Sequence, residues 1–404
     1  MNEGQSEAAA PVAARADEEP PPETEVRRLL AQLYDPNIRF PDRPVFVADL
    51  EAFEMPDGLG FQFRGLEAPV IVRGQSAGAV IRHLQDCLNG RMTREEVIRA
   101  GPPAVPPAAY LRALLLLHSK GLLVSADAER PRPAQALDAA TLNRQLLYWG
   151  RHLGITRAAG SAAEIEQRLE RARLIVLAGG IFGAVTCDLL SRSGFRSLSV
   201  LAWNDDGALE RSIRLAPERP AEFFRLPTTA LDPALHLLSR WLEGADLLVT
   251  ATSDAPAILF SGINDLALQR STPWLYGNAD GPALDIGPLV QPYETGCFAC
   301  LELRRRSARD FAFENEFHEQ RLGEERDAAE RVLIGEAVWP ATLGASMLAG
   351  EACRLITGLA PPTLTDTMLH VLPVTGTMER NRFTRVPRCP ACFRGAIAAV
   401  EVVC

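Results

Sequence analysis

The sequence is almost without lysine. Lys120 is the single lysine among 42 basic residues, so arginine supplies nearly all of the positive charge. Acidic residues outnumber basic ones, and the net charge of −9 argues against nucleic acid as the main partner. Any mechanism that requires a lysine at a position other than 120 is therefore excluded.

Long apolar runs are also missing. No stretch approaches the roughly 20 apolar residues that a membrane-spanning helix needs. The first residues carry neither the basic nor the apolar region of a secretory signal, so we expect a cytoplasmic protein without a membrane partner. In that compartment the 8 cysteines point to metal binding or core packing rather than to disulfides.

The composition and the spacing of apolar residues divide the chain into three parts. Residues 1–24 are rich in Ala, Glu and Pro, which predicts a disordered tail. Residues 25–130 show strand-like runs at 45–47, 59–63 and 70–72, followed by three short helical patterns. This order resembles a winged helix-turn-helix. Pro131 and Pro133 mark a linker, and 131–404 forms the second domain.

The helices of the first domain have clear boundaries. The first ends at Asn89 and Gly90. Thr93 is expected to cap the second, with Glu96 completing a capping box. The third is expected over residues 107–120, which include Leu111, Leu114 and Leu115.

The second domain alternates helical and strand patterns. Strands are predicted at residues 174–177, 198–201, 246–249 and 274–276, with helical patterns between them. Such an order predicts an α/β fold with a doubly wound parallel sheet and helices on both faces.

Two C-x-x-C pairs form the most specific motif. They are Cys297 with Cys300, and Cys389 with Cys392. Each pair directs two thiolates towards one centre, and two pairs complete a tetrahedral site at about 2.3 Å per zinc–sulfur bond. The sequence therefore predicts one structural zinc ion that links distant segments. The alternative is two unrelated, redox-active C-x-x-C pairs.

A glycine-rich turn follows the first strand of the second domain. Gly179, Gly180 and Gly183 stand between that strand and a helix, where main-chain N–H groups can bind phosphate. A nucleotide site of this type needs an acidic residue at the end of the next strand, where this chain has Ala202. The turn either binds a nucleotide or serves only to pack the helix on the sheet.

Together these motifs resemble those of the ThiF/MoeB-type adenylating enzymes, relatives of the ubiquitin-activating enzymes. The resemblance covers roughly residues 137–394. It includes the segment 142–147, the glycine turn, the stretch 251–254, the segment 274–277, both C-x-x-C pairs and the helix from residue 343 to 359. Members of this family use ATP and magnesium to adenylate a C-terminal carboxylate. Arg144 matches the arginine that reaches into the partner's site in the family, which implies a homodimer.

Several groups that the family uses for catalysis have no counterpart. Ala202 replaces the ribose-binding acid, and no lysine follows the second strand. Thr250 and Ser253 stand at the two aspartate positions of the metal-binding motif, and Asp254 is one residue out of register. Because phosphoryl chemistry depends on cationic groups and a held metal ion, we expect a catalytically inactive scaffold that does not use ATP.

The first domain resembles the peptide-recognition element of ribosomal peptide maturation. In that family a leader peptide adds as a strand beside the third strand and packs on the third helix, a mode called β-augmentation. The resemblance places the leader against Val70, Ile71, Val72 and Arg73, and against the three leucines of the third helix. The alternative is DNA binding by the winged helix, although its third helix carries few cations.

A recognition element fused to a ThiF-like domain resembles the leader-binding partner of YcaO-type cyclodehydratases. Those systems convert Cys, Ser and Thr of a precursor peptide into thiazolines and oxazolines. The resemblance implies that this chain binds the precursor and that a separate YcaO protein is the catalyst. The alternative is an active peptide-adenylating enzyme of the type that matures microcin C, which has the same domain order.

Overall fold

A computed structural model of the protein describes residues 23–34, 40–47, 50–56, 58, 60–65, 69–126, 139–156, 158–203, 209, 221–226, 231–253, 255–308 and 335–393. The predicted tail, the linker near residue 131, and Asp254 lie outside them, except that the first helix begins at Glu23. The chain forms two compact units, one of residues 1–132 and 139–166 and the other of residues 133–138 and 167–404. None of the described helices combines the length and the hydropathy needed to cross a membrane.

The first unit contains two small antiparallel sheets and several helices. Its elements are α1 (Glu23–Leu33), β1 (Pro44–Phe46), β2 (Glu51–Glu54), β3 (Gly60–Arg64), β4 (Val70–Arg73), α2 (Ala77–Cys87), α3 (Arg94–Arg99), α4 (Pro107–Ser119), β5 (Leu123–Ser125) and α5 (Ala139–Thr156).

The three-stranded sheet of this unit has the order β2-β3-β4. The sequence-based assignment of its strands was wrong at one end, because the run at Val45 forms β1 and pairs with β5 at Val124. The third strand is instead β2, which carries Glu51 and Glu54 on its exposed surface and so lacks the apolar alternation of a half-buried strand. In this order β4 is an edge strand.

Helices α2, α3 and α4 enclose the core of the first unit. The predicted capping box is confirmed: Thr93 accepts the N–H of Glu96, and the Glu96 carboxylate accepts the N–H of Thr93. Leu29 and Leu33 of α1 pack into the same core as α4.

The second unit contains one large sheet. Its elements, after α6 (Ala162–Arg171) at the boundary between the units in the chain, are β6 (Arg173–Ala178), α7 (Gly180–Arg192), β7 (Ser197–Ala202), β8 (Ala221–Arg225), α8 (Leu231–Trp241), β9 (Leu247–Ala251), α9 (Ala257–Arg270), β10 (Trp274–Asp280), β11 (Ala283–Val290), α10 (Phe298–Ala308), α11 (Val338–Thr357), β12 (Thr367–Leu372) and β13 (Thr377–Arg382).

The large sheet has eight strands in the order β13-β12-β11-β10-β9-β6-β7-β8. The five strands from β10 to β8 are parallel, as predicted, but β11, β12 and β13 are antiparallel. The four strands predicted from the sequence all belong to the parallel part, whereas β11, β12 and β13 were not predicted. A tight turn at Gly281, whose φ is +57°, joins β10 to β11 and leaves no room for the crossover that a parallel pair needs.

Helices cover both faces of the parallel strands. Strands β6 and β9 are buried along nearly their whole length, the pattern of a sheet covered on both sides. Helices α8, α9 and α10 pack in one core with Ile175, Leu177 and Leu248. Helices α7 and α11 pack together against the other face, where Gly344 lies close to Phe182. The glycine turn after β6 thus lies at the carboxyl end of a central strand.

Candidate functional site

Four buried cysteines come together in the second unit, as the sequence predicts. The Sγ atom of Cys297 lies 3.8 Å from that of Cys300 and 3.7 Å from that of Cys389, and Cys300 lies 3.7 Å from Cys392. All four sulfur atoms lie within 4.8 Å of one another, and each residue is 0% exposed. A tetrahedron with zinc–sulfur bonds of about 2.3 Å has sulfur atoms roughly 3.8 Å apart. The cluster is therefore compatible with a structural zinc ion.

The surroundings of the cluster favour a thiolate at Cys300. The N–H of Val386 donates to the Sγ atom of Cys300 at 3.3 Å. A hydrogen bond from Cys297 lowers the pKa of the Cys300 thiol, although burial opposes this. Arg385 lies beside the cluster and donates to the main-chain carbonyls of Tyr293 and Cys392. The Val386 N–H would orient Cys300 towards a bound zinc ion, and four cysteine ligands would leave no position for substrate.

The glycine turn has the geometry of a strand-to-helix phosphate site. Gly179 follows β6 in an extended conformation, and Gly180 begins α7 with φ of +65°, which disfavours a side chain. A Cβ atom at Gly183 would lie 2.8 Å from the carbonyl oxygen of Ala251, so this glycine allows α7 to approach the sheet closely. The turn therefore aims the N-terminus of α7 at the carboxyl edge of the sheet.

Glu336 occupies that N-terminus. Its carboxylate accepts the N–H of Ile181 at 2.6 Å and the N–H of Phe182 at 3.2 Å. These groups belong to the first turn of α7, where N–H groups have no partner within the helix. The positive end of the helix dipole also favours a negative charge. The protein's own carboxylate thus fills the position at which such a turn binds phosphate.

The residues around this turn are buried and packed against one another. Ala202 ends β7 and is 1% exposed. Thr250 is fully buried, and its hydroxyl accepts hydrogen bonds from the indole N–H of Trp274 and the N–H of Gly277. Ser253 is buried next to Gly180. Among the described residues, none of these positions offers a carboxylate to ribose or magnesium.

Arg144 belongs to the other unit. It lies on α5 and is exposed. Its proposed role in a partner's site remains a prediction.

Strand β4 presents an open main-chain edge in the part of the first unit that the structure describes. The N–H of Met55 donates to the carbonyl of Gly60, so Gly60 and Gln62 direct their main-chain groups towards β2. Their neighbours Phe61 and Phe63 pair with Val72 and Val70 of β4. By the same alternation, the main-chain groups of Ile71 and Arg73 point away from β3.

The side chains assigned to peptide binding differ in exposure. Val70 and Ile71 are half-buried, Val72 is 7% exposed, and Arg73 is exposed. In α4, Leu111 and Leu114 lie in the core of the first unit, whereas Leu115 is half-buried at its edge. Within this set, Val70, Ile71, Arg73 and Leu115 offer accessible surface.

Sequence reasoning missed Glu336. Its partners in α7 lie about 155 positions earlier in the chain, and a lone glutamate before a helix carries no signal of such a contact. The sequence gives one weak signal. The glycine-rich turn is present, but the acidic residue that would bind ribose is not, which indicates that the turn does not serve an ordinary nucleotide site.

Comparisons with known proteins place the fold. Neither a family model nor a curated protein sequence matches the chain. A crystal structure of E. coli MccB with succinimide is similar, with a TM-score of 0.61 and 15% identity over 86% of this chain and 99% of that chain. MccB, a microcin C7 biosynthetic enzyme, in complex with N-formylated MccA aligns with a TM-score of 0.61 and 14% identity, again over 86% of this chain and 99% of that chain.

The heterocyclase TruD has a similar region. It aligns with a TM-score of 0.56 and 20% identity over 87% of this chain but only 43% of the TruD chain. At such identities the likeness shows a shared fold.

Proposed function

We propose that this protein binds the leader of a ribosomal precursor peptide and presents it to a separate YcaO-type cyclodehydratase, which forms thiazoline and oxazoline rings. The first unit is the recognition element, a winged helix-turn-helix, and the second unit is a ThiF-like scaffold. The protein acts in the cytoplasm and as a homodimer. It is a non-catalytic subunit of the complex.

The fold supports a role in peptide maturation. MccB, which has this fold, has been crystallised with the peptide MccA, and TruD is a heterocyclase. The alignment covers 43% of TruD, so the rest of such a heterocyclase has no counterpart in these 404 residues. A separate cyclodehydratase chain would supply that part.

The position of Glu336 is the observation that carries the non-catalytic assignment. A carboxylate on the Ile181 and Phe182 N–H groups competes with the phosphates of ATP for the same donors. Ala202 and Ser253 add no acidic group for ribose or metal. Adenylation depends on these electrostatic contacts, so their joint loss argues against ATP chemistry in this chain.

The edge of β4 is the proposed leader site. An extended peptide gains main-chain hydrogen bonds at an unpaired strand and specificity from alternate side chains. Ile71 and Arg73 offer those main-chain groups, and Val70 and Leu115 contribute accessible apolar surface. Leu111, Leu114 and Val72 support the site from the core.

The four cysteines hold a structural zinc ion in this proposal. The ion fastens α10 to the segment after β13 and adds no chemistry of its own. A scaffold that keeps its metal centre but not its nucleotide contacts retains its shape for a partner enzyme.

Reconstitution tests the proposed function. Labelled leader peptides, taken from short reading frames beside the gene, are titrated into the full chain and followed by fluorescence anisotropy. The matching YcaO protein is then added with ATP, and the loss of one water per ring is followed by mass spectrometry. We expect binding by this chain and ring formation only when both proteins are present. Equal ring formation without this chain would overturn the proposal.

The similarity to MccB favours one alternative, an active peptide-adenylating enzyme. The two functions differ in ATP–pyrophosphate exchange. An adenylating enzyme catalyses peptide-dependent exchange by itself, whereas a leader-binding subunit does not.

A further inference from the structure

A second surface of the protein carries an unusual positive charge. A cavity of about 950 Å³ opens in the second unit between α10, α11 and strands β12 and β13. Its charged lining residues are Arg304, Arg354, Arg380, Arg382 and Asp366. The four arginines come from three different elements, although the whole chain has a net charge of −9.

Most of this positive charge is not neutralised. Arg354 pairs with the fully buried Glu351 at 3.0 Å. Arg304 instead donates to the Thr384 hydroxyl at 3.1 Å, and Arg380 donates to the main-chain carbonyl of Thr363 at 2.7 Å. Within the described part of the chain, no carboxylate forms an ion pair with Arg304, Arg380 or Arg382. A ligand of opposite charge therefore finds three guanidinium groups available.

Among the described lining residues, the one carboxylate is already engaged. Asp366 accepts the N–H of Gly296 at 2.6 Å and so supports the segment before the cysteine cluster. Its backbone also adopts a left-handed conformation, with φ of +49°, which fixes its direction. Its charge offsets only part of the arginine excess.

The shape of the cavity points to an extended ligand. Its volume is near the upper end of the range of about 300–1,000 Å³ for ligand pockets. Pro361, Pro362 and Phe383 add apolar surface between the arginines. Arg354 lies in the last turn of α11, and Arg304 lies in the C-terminal half of α10, so neither helix directs its N-terminal N–H groups here. The described lining therefore offers guanidinium groups but no helix N-terminus, which is one common binding site for phosphate.

We propose that this cavity binds an acidic segment of an extended peptide. The planar guanidinium forms paired hydrogen bonds with carboxylates, and the apolar surfaces accommodate the side chains between them. The site lies in the second unit and does not depend on the β4 edge. It gives the protein a second docking surface, selective for carboxylate-bearing peptides.

A charge-matched peptide experiment tests this site. The probe is a fluorescein-labelled peptide of alternating Glu and Ala, and its control has Gln in place of Glu. Both are titrated into the full chain by fluorescence anisotropy. We expect the wild type to bind the Glu peptide but not the Gln peptide. The double variant Arg380→Glu and Arg382→Glu should bind the Glu peptide at least about tenfold more weakly. The variant Arg240→Glu and Arg270→Glu, with the same change of net charge on α8 and α9, should bind like the wild type.

Several outcomes overturn the proposal. Equal weakening in both double variants would show attraction by overall charge. Absence of binding by the wild type, or displacement of the peptide by low concentrations of inorganic phosphate or ATP, would exclude a peptide site. The zinc content and circular dichroism of each variant establish that it is folded. Ile71→Pro changes the separate β4 edge and should leave binding of the Glu peptide unchanged.

Discussion

Replacing Glu336 should open the anion site at the start of α7. The carboxylate acts as a helix cap supplied by a distant residue, since it accepts the N–H groups of Ile181 and Phe182 at 2.6 and 3.2 Å. Loss of a capping side chain costs about 0.5–2 kcal/mol, and loss of a charge at a helix N-terminus costs about 0.3–1 kcal/mol. These effects overlap, so we expect Glu336→Ala to lower the free energy of unfolding by about 1–2 kcal/mol.

The thermal midpoint should fall accordingly. A change of 1 kcal/mol shifts the midpoint by about 2–4 °C in a unit of this size, which gives a fall of about 2–8 °C. The thermal midpoint of Glu336→Gln should fall less, because the amide oxygen still accepts one hydrogen bond. Glu243→Gln removes an exposed glutamate elsewhere in the same unit and is the matched control.

Added phosphate separates capping from ordinary packing. Glu336→Ala exposes two N–H donors, so phosphate should stabilise this variant more than the wild type. With a dissociation constant of about 5 mM, 50 mM phosphate would add about 1.4 kcal/mol by mass action. Differential scanning calorimetry with phosphate and with chloride at equal ionic strength measures the difference. An unchanged midpoint, or equal phosphate effects in variant and wild type, would refute the role assigned to Glu336.

Three further predictions concern the cysteine cluster, the β4 edge and the contacts of Glu95 with Tyr34 and Arg94 in the first unit. Cys389→Ser should abolish tightly bound zinc and lower the free energy of unfolding by up to about 10 kcal/mol. Cys87→Ser is the control and should leave the metal content unchanged. Full zinc content in Cys389→Ser, measured by plasma mass spectrometry, would exclude the four-cysteine site. Ile71→Pro should abolish leader binding in anisotropy titrations while Ala52→Pro, on the opposite sheet edge, preserves it; equal affinities would place the leader elsewhere. Burial acts to raise the pKa of Glu95, but hydrogen bonds from Tyr34 and Arg94 lower it to about 2. The ionised carboxylate therefore stabilises the folded protein above about pH 4.5, and this stabilisation is lost as the pH falls towards 2. Urea midpoints should therefore fall less over this range in Glu95→Gln than in the wild type, and parallel curves would contradict the assigned contacts.

Local patterns predicted the elements that depend on local physics. The apolar residues at 174–177 and 247–249 form fully buried parallel strands, because a strand covered on both faces must be apolar throughout. Asp246, predicted as the first residue of its strand, is exposed just before β9. The Thr93 and Glu96 pair capped a helix, since capping requires only contacts within four residues. The four cysteines came together because few other arrangements satisfy two distant C-x-x-C pairs in one core.

Features that depend on distant partners were not predictable in this way. Strand β2 has exposed glutamates at both ends and is defined by its pairing with β3. The antiparallel half of the large sheet follows from short turns, such as the one at Gly281. Glu336 and the arginine cavity assemble residues far apart in sequence, and no spacing rule connects them.

Peptide-dependent ATP–pyrophosphate exchange distinguishes a leader-binding subunit from an adenylating enzyme. The purified chain is incubated with Mg-ATP, labelled pyrophosphate and a precursor peptide shown by anisotropy to bind it. Because Glu336 fills the phosphate position, and Ala202 and Ser253 carry no acidic group, we expect saturable peptide binding with no exchange above background. Exchange that requires the peptide and rises in proportion to the protein concentration would contradict it and identify the chain as an adenylating enzyme.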